Sequence, residues 1–266
     1  MEIIRNILKI LMWFLIIGFS CNFIMQSVSY SFYKNAKKTN KVTFEPKFIR
    51  FNDNLTGYGY NLDKQSDKVI LFFGGSNYIA YNSVAEYSGN FDCPFISADY
   101  YGTQESNGKM NLESMQKTAA DLYDWTKKEY PQSGIVIIGH SYGTGIAAYL
   151  ASIRDAECLF IAAGYRDVSD LYNKMTPIFW GPLKIFISNN ILTSEYAGNV
   201  SCPVYVMGSD ADKTLDSSLQ KKVANCFENS ELIIFSGINH EDYFVSSEVI
   251  EYIAAKMNSD TSPAAD

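Results

Sequence analysis

The stretch "IVIIGHSYGTG", Ile135 to Gly145, limits the folds open to this chain more than any other. Apolar β-formers run into Gly139-His140-Ser141-Tyr142-Gly143, and a run of small residues, "GTGIAAYLASI", follows. An apolar run without polar alternation reads as a strand buried on both faces, and the small-residue run reads as a helix packed against it. A strand feeding a helix through so short a glycine-flanked turn belongs to an α/β sheet. Its polar centre leaves two readings: Ser141 is one residue of a structural turn, or it is a nucleophile projected from the end of a strand.

The rest of the chain repeats the strand–helix alternation. "KFIRFN" and "TGYGYNL" flank the turn signal Asn52-Asp53-Asn54 and read as a hairpin. "KVILFFGG", "PFISADYYG", "ECLFIAAG", "CPVYVMG" and "ELIIF" read as further strands. Helical spacing marks Leu112 to Lys128, where Leu112, Met115, Ala119, Leu122, Tyr123 and Trp125 share a face, and helices are also expected at Ser217 to Phe227 and Glu248 to Met257. The expectation is an α/β fold with a mostly parallel central sheet covered by helices on both faces. A length of 266 residues suits one large domain, here residues 44–257. The segment 165–199, with Pro177, Trp180, Gly181 and Pro182, breaks the rhythm and reads as a short lid over the carboxyl ends of the strands. The tail, 258–266, reads as disordered. A net charge of −7 without a Lys/Arg-rich patch in the body argues against a nucleic-acid partner.

The N-terminus carries a different signal. "ILMWFLIIGF", Ile10 to Phe19, has the length of a signal-peptide core, and counted from Ile7 to Met25 the apolar character just suffices to span a bilayer. Residues 1–29 are therefore a membrane anchor or a signal peptide, with Ser27-Val28-Ser29 as a small-x-small cleavage site, and residues 30–43 a polar spacer. Lysines 34, 37, 38 and 41 would hold an anchored domain on the cytoplasmic side, whereas a cleaved signal would export it, so the side of the membrane stays open. The five cysteines, Cys21, Cys93, Cys158, Cys202 and Cys226, form no CxxC and no zinc-spaced cluster with histidine, and read as scattered buried thiols.

Parallel strands deliver their functional loops at their carboxyl ends, and four such loops carry chemistry. Gly139-x-Ser141-x-Gly143 sits between strand and helix, the context in which a serine nucleophile is exposed on a tight turn. Only two histidines exist. His140 adjoins Ser141 and points away from it, which leaves His240, in "SGINHEDYF" after the last strand, as the candidate base. "GSDADKTLD" supplies Asp210, Asp212 and Asp216 after the strand ending near Met207, and either Asp210 or Asp212 could orient His240. Gly74-Gly75-Ser76 ends another strand. The backbone N–H of Ser76, with that of Tyr142, supplies the two donors that an oxyanion needs.

These motifs resemble the α/β hydrolases, specifically the short-lid, often membrane-anchored α/β-hydrolase-domain (ABHD) proteins and serine aminopeptidase-like hydrolases. "GHSYGTG" is similar to their nucleophile turn, "DYYGTQESNG" to their Asp-Tyr-Arg-Gly loop, and "NHEDY" to their His-Asn-Asp ending. The register of Cys202-Pro203 through Ser217 on their Pro-strand-Gly-x-x-Asp segment implies Asp212 rather than Asp210 as the acid. Three positions depart from the pattern: Gly74 replaces a histidine, Ser209 a glycine and Tyr101 an arginine. The resemblance implies a serine hydrolase in which Ser141, His240 and Asp212 are the triad. It would act through an acyl-enzyme on a small-molecule carboxylic ester or thioester, with acyl or lipid substrates suggested by the apolar segment 178–186 and the N-terminal membrane segment, and without metal or organic cofactor. The alternatives are a peptidase or amidase on the same triad, or a non-catalytic hydrolase-fold binding protein of the envelope.

Overall fold

The computed structural model describes residues 1–175 and 177–259. Residue 176, and residues 260–266 of the tail expected to be disordered, lie outside the described residues.

The apolar runs become strands, and their order places the site. Among the described residues the sheet has eight strands: β1 (Lys47–Arg50), β2 (Thr56–Tyr60), β3 (Lys68–Phe73), β4 (Phe95–Ala98), β5 (Gly134–His140), β6 (Cys158–Ala162), β7 (Val204–Ser209) and β8 (Ser230–Phe235). They lie in the order β1-β2-β4-β3-β5-β6-β7-β8. The hairpin β1–β2 is antiparallel and joins antiparallel to β4, whereas β4, β3, β5, β6, β7 and β8 are parallel. The chain leaves β3 to one side for β4 and returns on the other side for β5, so the sheet's topological switch lies between β3 and β5. Ligands of open parallel sheets bind at the carboxyl ends of the strands flanking such a switch. Phe73 is in register with Gly139, which sets Gly74-Gly75 beside the turn that holds Ser141.

Burial follows the two-faced logic. Val69, Ile70, Leu71, Phe72 and Phe73 of β3 and Ile135, Val136, Ile137 and Ile138 of β5 are all buried. Helices α1 (Glu2–Asn35), α2 (Ala80–Tyr87), α3 (Leu112–Glu129), α4 (Gly143–Ile153), α5 (Val168–Met175), α6 (Thr193–Tyr196), α7 (Ser217–Ala224) and α8 (Ser247–Asn258) accompany the strands. α3 starts at a reciprocal capping box between Asn111 and Ser114 and buries Met115, Ala119, Leu122 and Tyr123, as its spacing predicts. The segment between β6 and β7 forms α5, a 3-10 turn over Gly181–Phe186, and α6. All five cysteines are free, and Cys93, Cys158 and Cys202 are buried.

Two elements differ from the sequence reading. α2 had no counterpart in it. Its first N–H, on Ala80, is capped from afar by the buried carboxylate of Asp99 at 2.8 Å, so no local capping signal precedes the helix. The second is the boundary at residue 30. The expected spacer 30–43 begins inside α1, which runs to Asn35, and Tyr33 is 2% exposed. Gly18, Asn22, Met25 and Tyr33 are the buried residues of α1. Their helical spacing makes one continuous face that crosses the expected boundary. The polar residues around it, Lys34 and Asn35, project from other faces and made the segment read as a linker.

Candidate active site

The turn after β5 holds Ser141 in the left-handed region, φ 51°. A non-glycine residue there carries strain of about 1–3 kcal/mol and persists where its surroundings fix it. Here the Ser141 N–H donates to the Ala162 carbonyl at the end of β6 (2.9 Å), and the Ser141 carbonyl accepts from the Thr144 N–H (3.0 Å) and hydroxyl (2.7 Å). The flanking glycines serve space rather than backbone freedom. A Cβ on Gly143 would lie 2.3 Å from the Phe73 carbonyl oxygen, and one on Gly139 2.7 Å from the Thr144 Cα. Glycine at both positions lets α4 start hard against the ends of β3 and β5.

Loops from β7 and β8 reach back over β6 to meet this turn. His240 Nε2 is 2.9 Å from Ser141 Oγ, and His240 Nδ1 is 2.9 Å from Asp212 Oδ2. The Asp212 carboxylate is fully buried, and the His240 side chain is 13% exposed. A carboxylate only accepts, so Nδ1 carries the proton and Nε2 is left to accept from the Ser141 hydroxyl. Asp212 Oδ1 accepts from the Thr214 and Leu215 amides at 2.8 and 2.9 Å, and the Tyr243 hydroxyl approaches Oδ2 at 3.4 Å. Burial pushes the Asp212 carboxyl upward, but the bonds from His240 and from the two amides outweigh it and leave it below the ordinary carboxylate value. Ser141, His240 and Asp212 thus form one hydrogen-bonded chain. Asp210 is excluded from it: its carboxylate faces solvent and accepts from the Ser236 hydroxyl and the Gly237 amide, closing the turn after β8.

The remaining candidates also converge. A Cβ on Gly75 would sit 2.8 Å from Ser141 Cβ, so this loop touches the serine directly and Ser76 follows at the rim. Tyr142 is the N-cap of α4, and its N–H belongs to the group of donors that a helix leaves without an intrahelical acceptor. Among the described residues no group of three His, Cys, Asp or Glu side chains gathers as a metal site. Burial pushes the Cys93 thiol up to about 12, so it offers no competing nucleophile.

Two contributors were not legible in the sequence. His140 Nε2 lies 2.8 Å from the His240 carbonyl oxygen and must donate to it, since a carbonyl only accepts. Burial, then the neighbouring His240, lowers His140 to about 3, which keeps it neutral as that donor. The other is Ser209, one of the departures from the family pattern. Its hydroxyl oxygen accepts from the Ile238 amide (3.1 Å) and the Ala211 amide (3.2 Å), tying the acid loop to the histidine loop. Histidine scarcity already set His140 apart, but its partner is backbone and left no mark in the sequence.

A pocket of about 480 Å³ opens over Ser141 and His240. Gly74 to Asn77 form one side, Leu171, Tyr172 and Met175 of α5 another, and Met25, Val28 and Phe32 of α1 a third. The volume is that of a site for a small organic ligand.

The sheet order, with an antiparallel second strand and a sharp turn after β5 at the switch point, is that of the α/β-hydrolase fold. The family model described as alpha/beta hydrolase fold matches residues 70–160. The chain's curated relatives are of the ABHD type. Lysophosphatidylserine lipase ABHD12 of Danio rerio is 24% identical over 144 residues, which cover 48% of this chain and 38% of that protein. Protein ABHD12B of Homo sapiens is 36% identical over 169 residues, 54% of this chain and 47% of its own length. The matched part thus spans less than half of either relative. Among solved structures, the Pyrococcus furiosus esterase Pf2001 superposes with a TM-score of 0.60 at 16% identity, covering 85% of this chain and 94% of that one. Est1E from Butyrivibrio proteoclasticus, with ferulic acid bound, gives 0.64 at 14% identity, covering 79% and 97%. At these identities the likeness is one of fold.

Proposed function

We propose that the chain is a serine hydrolase that cleaves carboxylic esters through an acyl-enzyme. The observation that carries this reading is the unbroken chain from Ser141 Oγ through His240 to the buried carboxylate of Asp212, with both links at 2.9 Å. In the first step Ser141 Oγ attacks the ester carbonyl carbon while His240 Nε2 takes the hydroxyl proton, and Asp212 stabilises the imidazolium. The Tyr142 and Ser76 amides donate to the oxyanion. His240 then passes its proton to the departing alkoxide, and a water activated by the same nitrogen releases the acid and restores the serine.

Met25, Val28 and Phe32 of α1 and Leu171 and Met175 of α5 offer apolar surface to an acyl group, beside the polar Ser29 and Lys174 of the same helices. The name of the zebrafish relative, a lysophosphatidylserine lipase, makes a lipid monoester a substrate to test. α1 supports attachment to a membrane: it is 34 residues long with mean hydropathy 2.1 over its most apolar stretch. The test is a series of p-nitrophenyl esters of rising acyl length, with intact-mass spectrometry of the rapidly quenched enzyme. The reading expects ester hydrolysis and a mass increment equal to the acyl group. Turnover that leaves no acyl increment on the rapidly quenched wild type, even at low temperature with a long-chain ester in excess, would count against the acyl-enzyme.

A further inference from the structure

The loop between β3 and α2, residues 74–79, carries the Ser76 amide. Its centre, Ser76 and Asn77, is exposed, while Gly74 and Gly75 before it and Tyr78 and Ile79 after it are buried. Among the described residues the Ser76 N–H meets no backbone acceptor. The direction of that amide is therefore set by the two buried flanks.

The downstream flank is tied to three consecutive residues at the end of β4. The Tyr78 hydroxyl lies against the Ser97 hydroxyl and donates to the Ala98 carbonyl at 2.9 Å, and the Ser97 hydroxyl donates to the Phe72 carbonyl of β3 at 2.8 Å. Two residues on, the Ala80 N–H donates to Asp99 at 2.8 Å. The upstream flank meets the same tyrosine through its ring. A Cβ on Gly74 would lie 2.1 Å from Tyr78 Cδ2, and the three nearest atoms all belong to that ring. The ring has no room to swing aside: Tyr78 is 5% exposed, the Tyr100 ring packs 5.4 Å away, and the hydroxyl is bound at the far end. On its other side the Gly74 carbonyl oxygen would be 2.5 Å from a Cβ on Gly143, the first residue of α4. Position 74, where glycine stands in place of the histidine of the family pattern, is thus filled by a side chain four residues later in the chain.

We propose that Tyr78 is a positioning residue for the reaction: its ring, admitted by Gly74, and its hydroxyl, anchored on β4, hold the loop so that the Ser76 amide points at the oxyanion. The inference rests on the serine-hydrolase reading and adds the pair of residues that aims the second oxyanion donor. An amide of this kind gains most from the charge of the transition state, so disturbing the pair slows the chemical step and leaves substrate binding nearly unchanged.

The test is a double-substitution cycle on the full chain with p-nitrophenyl butyrate. Gly74→Ala should lower kcat about a hundredfold at a KM within about threefold of wild type, because the displaced ring carries the loop with it. Tyr78→Ala is itself slow, but in its background the added methyl finds room and Gly74→Ala should change kcat by no more than about twofold. Tyr78→Phe keeps the ring and the packing, so it reads the hydroxyl alone even where the other variants fail to fold, and it should lose about tenfold in kcat. Affinity for a trifluoromethyl ketone, whose adduct with Ser141 carries the oxyanion, should fall in each folded variant by the same factor as kcat/KM, which a loss of stability alone would not produce. Equal Gly74→Ala losses in the two backgrounds, or a Tyr78→Phe variant with wild-type kcat and ketone affinity, overturns the proposal and leaves the hydrolase reading intact. A folded wild type that neither turns over the ester nor binds the ketone overturns the hydrolase reading, and the proposal with it.

Discussion

Asp212→Asn is the perturbation whose consequence the geometry fixes most tightly. Oδ1 of Asp212 accepts from the Thr214 and Leu215 amides, and Oδ2 faces His240 Nδ1. In the asparagine variant the single carbonyl oxygen is held by those two amides, so the NH₂ group turns to Nδ1. Nδ1 must then accept, the ring proton moves to Nε2, and Nε2 faces Ser141 Oγ as a donor, unable to take the hydroxyl proton. The substitution thus removes the base without removing the histidine. A wrong-tautomer substitution of this kind in a serine triad costs about ten-thousand-fold in kcat, or about 5 kcal/mol of transition-state stabilisation. The control is Asp210→Asn: that carboxylate faces solvent and accepts from Ser236 and Gly237, away from His240, and kcat should stay within about threefold. The assay is kcat and KM for p-nitrophenyl butyrate, with thermal melting to confirm that both variants fold. A loss below tenfold for Asp212→Asn, or a larger loss for Asp210→Asn, refutes the assignment of the acid.

Other consequences follow from the same contacts. His140→Phe deletes the donor that holds the half-buried His240 carbonyl, and about 1 kcal/mol for the lost bond should appear as a several-fold fall in kcat at similar KM, with His140→Gln recovering part of it. Burial raises the Asp99 carboxyl to about 7, while an unfolded chain titrates near 4. Its contribution to stability is therefore complete below about pH 4 and is lost as pH rises through about 7, so the melting temperature of the wild type should fall across that window and that of Asp99→Asn should fall less. Tyr33→Ala empties a fully buried site beside Tyr100 and Tyr142, whose rings lie 6.0 and 6.3 Å away, and should cost about 3–5 kcal/mol in denaturant unfolding. A loss under 1 kcal/mol would show that α1 is not docked on the domain.

What was legible in the sequence was whatever is encoded locally. Each apolar run flanked by turns became a strand, and the period of Met115, Ala119 and Leu122 marked α3 correctly. Ser141 and His240, which the fold brings within 2.9 Å of each other, were singled out by strand–turn–helix context and by the scarcity of histidine. Asp212 needed a family register, because Asp210 is equally close to the strand end and only the fold decides which carboxylate turns inward. The misses share one cause. α2 is capped by Asp99 from another strand, His140 serves a backbone carbonyl one hundred residues away, and Ser209 ties two loops through its hydroxyl. Tyr33 is core only because α1 folds back on a cluster of tyrosines from four other segments. Tertiary partners of this kind leave no periodicity and no spacing to read.

The most direct test of the central claim is covalent labelling of the serine. Incubated with a fluorophosphonate probe, digested and mapped by mass spectrometry, the wild-type chain should carry the phosphonate on Ser141 alone. Labelling should vanish in Ser141→Ala and fall by orders of magnitude in His240→Ala, where Oγ loses its proton acceptor at 2.9 Å. Labelling that persists in Ser141→Ala, or a folded wild-type protein that takes up no probe, would contradict the assignment of Ser141 as nucleophile.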